Sequence, residues 1–233
     1  MLVGIIGAME EEIVILREKL VGAVEFELGG FEFAEGELAG VDVVLLKSGI
    51  GKVNAAIATT LMIQIYQPDY IINTGSAGGF NQELSVGDIV VADELRYHDV
   101  DATVFGYDFG QVPGMPASYL PDSRLVDLAL KSGEQLDAHV VKGLITSSDS
   151  FMDDLERVNV VRRQFPGVKA AEMESTAIAQ TAWQFGVPFV IIRSLSDIAG
   201  SDSLTSYEQF LVQASINSAA LVELIIKEMG DFG

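Results

Sequence analysis

Glu172-Met173-Glu174 sets two acids around a methionine where a short apolar run, 168–171, gives way to a helical pattern at Ser175, Thr176 and Ile178. Strand-to-helix junctions in α/β sheets lie at the carboxyl edge, where ligands bind. A carboxylate there offers two acceptor oxygens, matching the two donors of a sugar cis-diol. The same acids would also complement the dipole of the helix that follows, and this stretch alone leaves both readings open. Glu12 comes after the apolar run 2–7, and Asp197 after the run 188–195. If those strands are neighbours, Glu12, Glu174 and Asp197 converge on one crevice with Ser76 and Arg193. Arg193 sits inside an apolar strand, and a buried guanidinium requires an acidic partner. Glu174 and Glu12 are the candidates.

Composition narrows what such acids could do. The chain has no cysteine, so thiolate nucleophiles, disulfides and Cys-zinc sites are excluded. Its two histidines, His98 and His139, read as structural or surface residues. No metal site is expected, because soft ligands are missing and a carboxylate-only magnesium site would want an anionic substrate. The net charge of −20 argues against nucleic acid and anionic membrane surfaces as partners. Acid–base chemistry by carboxylates remains. Cleavage of a glycosidic bond through an oxocarbenium-like transition state uses such a set. One carboxylate activates water, a protonated one donates to the leaving group, and each proton transfer is worth about 10²–10⁴-fold. No cofactor is required.

The elements that must position these residues can be read from periodicity. With 233 residues and 49% hydrophobic content, one large α/β domain over 1–233 is expected. Alternating strands and helices predict a three-layer α/β/α sandwich around a central mixed sheet. Strands are expected at 2–7, 24–40 (a hairpin around Gly29-Gly30), 41–47, 70–74, 86–95, 140–146, 168–173 and 188–195. Helices are expected after Met9, at 52–66, 123–136, 153–164 and 175–185, and at 207–229 after a polar loop, 200–206. Arg193's expected strand is the last of the set.

The glycine-rich turns fit no common nucleotide fingerprint. Around Ser48-Gly49-Ile50-Gly51-Lys52 the first glycine of a Walker loop is replaced by Leu46, and Asn54 stands where a dinucleotide loop ends in glycine. Gly75-Ser76-Ala77-Gly78-Gly79 reads as a loop that brings bare backbone close to a ligand, or as a plain tight turn. Phe151 could stack on a flat base or be an ordinary core residue. Segment 96–122 is long and aromatic, which predicts ordered packing against a partner subunit or over a pocket. The N-terminus lacks a basic region before its apolar run, so no signal peptide is expected, and no run approaches 18 uninterrupted apolar residues. A soluble cytoplasmic protein is the economical expectation.

The blocks from Gly4 to Glu12 (GIIGAMEEE), from Lys47 to Val53 (KSGIGKV) and from Asn73 to Gly79 (NTGSAGG), with Glu172-Met173-Glu174 and Ser196-Asp197, closely resemble the 5′-methylthioadenosine/S-adenosylhomocysteine nucleosidases. These belong to the purine nucleoside phosphorylase and hydrolase superfamily. The resemblance spans the chain, loop 105–116 included, and implies a nucleoside phosphorylase-like fold. It implies that Glu12 activates the water, held with help from Ser76, Glu174 and Arg193. Glu174 would accept from the ribose hydroxyls with Met173 behind the sugar, and Asp197 would protonate adenine N7. It also implies a base site of Phe151 and the Met152 main chain, substrate contacts from Gly78 and Ser196, and an alkylthio pocket of Met9, Ile50 and Tyr207. Ala102, Phe105 and Pro113, on loop 102–113, would complete the neighbouring subunit's pocket in a homodimer. Two alternatives stand beside this. A phosphorolytic enzyme is disfavoured by Glu10, Glu11 and Glu12 in the first loop, which would repel phosphate. A non-catalytic nucleoside-binding protein would have no use for a poised acid and base. A hydrolase for futalosine or deoxyadenosine is a further variant of the first reading.

Overall fold

In a computed structural model, which describes residues 1–81, 83–200 and 203–230, the first apolar run, β1 (Leu2–Gly7), is buried on both faces. Parallel strands covered by helices on either side require this. Val3 and Ile5 face one core and Ile6 the other. β1 leads into α1 (Glu10–Arg17), and a hairpin of β2 (Val21–Leu28) and β3 (Phe31–Leu38) precedes β4 (Val41–Lys47) and α2 (Lys52–Tyr66). Next come β5 (Tyr70–Asn73), β6 (Ser76–Gly79), β7 (Ile89–Tyr97), α3 (Ser123–Gly133), β8 (Val140–Ser147) and α4 (Leu155–Gln164). The chain closes with β9 (Ala170–Glu172), α5 (Ser175–Phe185), β10 (Phe189–Ile198) and α6 (Ser203–Met229).

The sheet is mixed, in the order β2-β3-β4-β1-β5-β10-β6-β9-β8-β7, and β7 pairs back onto β10. β10 makes this closure possible by serving three neighbours. Phe189–Ile191 run parallel to β5, 192–194 antiparallel to β7, and Ser194–Ile198 parallel to β6. One half of the sheet is therefore open and the other curls shut around a shared strand. Ala55, Met62 and Ile178, from α2 and α5, fill the core on one face. Ile13, Leu125, Val222 and Ile225, from α1, α3 and α6, fill it on the other. α6 has the length and mean hydropathy (1.4) of a membrane span, but 44% of that window is buried against the rest of the chain.

Several boundaries differ from expectation. Residues 75–79 are not simply a loop, because Ser76–Gly79 pair as a short strand with β10 and β9. β10 runs on to Ile198, with a register shift between Leu195 and Asp197, so Asp197 lies within the strand rather than after it. Such a bulge re-aims a side chain, commonly beside a site. β7 starts at Ile89, because the turn before it is closed by Ser85 N–H donating to Asp88 Oδ2 at 2.9 Å. α4 starts at Leu155, since Asp154 is its cap and accepts from Arg157 N–H at 2.8 Å. α6 already begins at Ser203, where a polar loop was expected; Ser201 and Asp202 lie outside the described residues. Segment 96–122 is tied down by Leu95 pairing with Tyr119, by Gly110 N–H donating to the Val100 carbonyl at 2.8 Å, and by Phe109 packing on Phe165.

Candidate active site

A cavity of about 200 Å³ opens where β1, β9 and β10 end. Glu12, Glu174 and Asp197 line it together with Ser76, Gly78 and Ser196. Met9, Ile50, Phe151, Met173 and Tyr207, also expected, complete most of its wall. Ala8, Ala77, Ala171, Glu172 and Leu204 line it as well and were not among the expected site residues. No lysine or arginine among the described residues is in the lining. Among the described residues, no group of three or more acids or histidines is placed to hold a metal ion.

Glu12 is fixed by the start of its own helix. It is the third residue of α1, and its Oε2 accepts from the N–H groups of Ala8 at 2.8 Å and Met9 at 3.3 Å. This is the reach-back half of a capping box. Its Oε1 accepts from Ser76 N–H at 2.9 Å and Ser76 Oγ at 3.1 Å. The helix-capping and ligand-facing readings of this residue therefore coincide. Gly75 permits the approach: a Cβ there would lie 2.5 Å from Glu12 Oε1 and 2.6 Å from Arg193 Nη1, at φ +155°. Glu10, by contrast, turns away to pair with Arg17 and Lys47.

Arg193 is 1% exposed and stands behind the cavity wall rather than in it. Its closest partner is neither expected acid but Glu172, 2.8 Å from Nη2, whereas Glu174 is 3.8 Å away. The reason is position. Glu172 is the last residue of β9 and its side chain is buried in the sheet interior, while Glu174 has already turned into the N-cap of α5. Burial works against the charge on Glu172, but Arg193 and Ser147 hold its carboxyl below the ordinary range. Burial and the neighbouring Glu172 push Glu174 up to about 8, against the opposing pull of Arg193. Glu174 Oε1 accepts from Gly51 N–H at 2.9 Å.

Asp197 is 2% exposed, and burial raises its carboxyl to about 6 although Ser196 Oγ donates to it at 2.9 Å. A carboxylic acid held partly protonated near neutral pH is a usable proton donor. At the apolar end, Tyr207 OH donates to Met9 Sδ at 3.3 Å and its ring meets Phe151 edge-on at 5.6 Å. Met152 does not line the cavity; it packs with Phe80 and Val158 beneath it. Ala102, Phe105 and Pro113 do not line it either. Phe105 is 79% exposed beside Val104 at 85%. His98 is buried with Nδ1 3.0 Å from Thr146 Oγ1 and held near 4 by burial; His139 is on the surface near Asp88.

The sequence profile of the phosphorylase superfamily matches residues 2–227. The 5′-methylthioadenosine/S-adenosylhomocysteine nucleosidase of Anoxybacillus flavithermus is 55% identical over 228 residues, 97% of this chain and 98% of its own. The Neisseria meningitidis nucleosidase of the same name, solved with methylthio-immucillin-A, superposes with a TM-score of 0.95 at 48% identity, covering 97% of this chain and 99% of that one. A Colwellia psychrerythraea nucleosidase solved with adenine superposes with a TM-score of 0.95 at 52% identity, covering 97% and 94%.

Proposed function

Because this chain belongs to the phosphorylase superfamily and, within it, to the 5′-methylthioadenosine/S-adenosylhomocysteine nucleosidases, we propose that it hydrolyses the N-glycosidic bond of those two nucleosides. The products are adenine and the corresponding thioribose. The observation that carries the reading is the meeting of Glu12, Glu174 and Asp197 on one cavity, with Asp197 kept partly protonated by burial.

In this reading Glu12 takes a proton from water as the water adds to the anomeric carbon, and Asp197 gives one to adenine N7 as the bond to the base breaks. The negative lining stabilises the cationic sugar between them. Glu174, with one oxygen on Gly51 N–H, accepts from the ribose hydroxyls against Met173. Arg193 and Ser76 help hold the water. Phe151 stacks on adenine, with Gly78, Ser196 and the Met152 main chain around its edge. Met9, Ile50 and Tyr207 enclose the alkylthio group. Such an apolar pocket also admits 5′-deoxyadenosine, because each methylene is worth only about 1–3 kcal/mol of discrimination. The whole chain, 1–233, serves as one domain, working in the cytoplasm in methionine salvage.

The exposed Val104 and Phe105 support a homodimer in which Ala102, Phe105 and Pro113 of one subunit close the pocket of the other. Water rather than phosphate is the acceptor, since among the described residues no lysine or arginine lines the cavity. The test is product analysis after incubation with methylthioadenosine, with and without phosphate. Adenine and free methylthioribose at a phosphate-independent rate are expected. A sugar 1-phosphate would mean phosphorolysis instead, and tight nucleoside binding without turnover would mean a binding protein.

A further inference from the structure

Glu172 is buried in the cavity wall, yet the reaction above gives it nothing to do. Its Oε2 accepts from the N–H groups of Glu174 at 3.0 Å and Ser175 at 2.8 Å, from Ser175 Oγ at 2.9 Å, and from Arg193 Nη2 at 2.8 Å. Ser147 Oγ donates to Oε1. Each carboxylate oxygen has about two acceptor sites, so Oε2 has no capacity left for a substrate, and Oε1 is already engaged by Ser147. Its donors, however, are the parts of the site that must be aligned. Resting on the nucleosidase reading, we infer that Glu172 is a positioning residue, one carboxylate that sets both the Arg193 guanidinium beside Glu12 and the Glu174 carboxylate that receives the ribose.

The first half follows from how Arg193 is used. Nε, at 3.3 Å, and Nη2 are both turned to Glu172. Nη1 is left without a partner among the described residues, at the Gly75 gap shared with Glu12 Oε1. That atom is the donor available to a water there. The second half follows from the α5 amides. By accepting from Glu174 and Ser175 N–H, Glu172 fixes the backbone of Glu174 and engages the guanidinium that would otherwise pair with it. Glu174 stays beyond hydrogen-bond distance of Arg193 and keeps its acceptor capacity for a diol. The groups facing Glu174 are Glu172 from β9, Arg193 from β10, Glu12 from α1, Tyr207 from α6 and the Gly51 N–H.

The experiment follows adenine release from methylthioadenosine across pH, with melting temperatures, for wild type, Glu172→Gln and Glu172→Asp. Glu172→Gln removes a like charge from beside Glu174 and frees Arg193 to pair with it. Its kcat should fall about 10- to 100-fold, the cost of one charged hydrogen bond, and the pH at which KM changes should move down. Glu172→Asp keeps the charge, so that pH should stay at the wild-type value with a smaller loss of kcat. A merely structural carboxylate would lower the melting temperature without moving the KM profile, and a wild-type profile in Glu172→Gln overturns the inference. Should Glu172→Gln not fold, Ser147→Ala decides: kcat must fall with the KM profile unmoved, and wild-type kcat overturns the inference. A wild-type protein that releases no adenine would overturn the nucleosidase reading instead.

Discussion

Ser76 donates twice to one oxygen of Glu12, through its N–H at 2.9 Å and its hydroxyl at 3.1 Å, across 64 positions of sequence. The pair joins the first helix to the strand that borders β10, and it aims the base at the cavity. Ser76→Ala leaves the amide bond and removes the hydroxyl. A hydrogen bond to a buried charge is worth about 1.5–3 kcal/mol, so kcat should drop roughly 10- to 100-fold. Steady-state rates with methylthioadenosine check this, and a wild-type kcat would show that the amide alone suffices.

Gly75 should tolerate no side chain. Alanine would bring its Cβ to 2.5 Å from Glu12 Oε1 and 2.6 Å from Arg193 Nη1. Forcing the two groups apart misplaces the base, and a displacement of about 1 Å can cost roughly 100-fold in rate. The expected outcome for Gly75→Ala is a loss of that order in kcat with adenine binding retained, read by kinetics beside isothermal titration with adenine.

The two perturbed acids set the pH dependence. Asp197 must be protonated and titrates at about 6, while Glu174 must be ionised and titrates at about 8. Required in that crossed order, they give a kcat/KM that rises to about pH 6, stays level, and declines above about pH 8. Asp197→Asn should lower the rate by about 10²–10⁴-fold. It should also abolish the alkaline decline, leaving a rise that continues to about pH 8. The same substitution should stabilise the fold at neutral pH. A folded-state value raised above the ordinary 3.8 to about 6 means that the folded state binds the proton more tightly. Stability is therefore lost as pH rises through that window. Asparagine removes the loss, so its melting temperature should exceed wild type at pH above about 6 and converge with it in acid. Calorimetry at several pH values decides.

Phe105 tests the dimer. It is 79% exposed in the single chain and outside its own cavity, so Phe105→Ala should fold normally yet raise KM. Mixing Phe105→Ala subunits with Glu12→Gln subunits should restore activity. In a mixed pair the site with an intact Glu12 receives the intact Phe105, which gives about a quarter of wild-type activity after random exchange. No recovery on mixing would mean that Phe105 acts, if at all, within its own chain.

Much of this was legible in the residues. β1 and β4 were legible at their observed limits because their buried stretches, Val3–Gly7 and Val43–Leu46, are apolar runs with abrupt ends. Glu12, Glu174 and Asp197 were legible because each acid stands within a few residues of the end of an apolar run, although Asp197 proves to lie inside β10. Glu172 was seen, but its task was not. Its choice as Arg193's partner depends on how far β9 extends before α5 begins, which pairing decides and local pattern does not. Leu204 was missed because Ser203, Thr205 and Ser206 around it read as a loop, and propensity there yields to packing over the cavity. β6 was missed because Ser-Ala-Gly-Gly has no strand propensity of its own; its neighbours supply the ladder.

The sharing of β10 among β5, β6 and β7 has a consequence for how the molecule comes apart. Phe189–Ile191 tie the strand to the open half and Ile192–Ile198 tie it to the curled half, so neither half can detach without breaking part of β10. Solvent deuterium should reach its amides last, at the rate of whole-molecule unfolding. The strand that carries Arg193, Ser196 and Asp197 should thus be the most slowly exchanging part of the sheet.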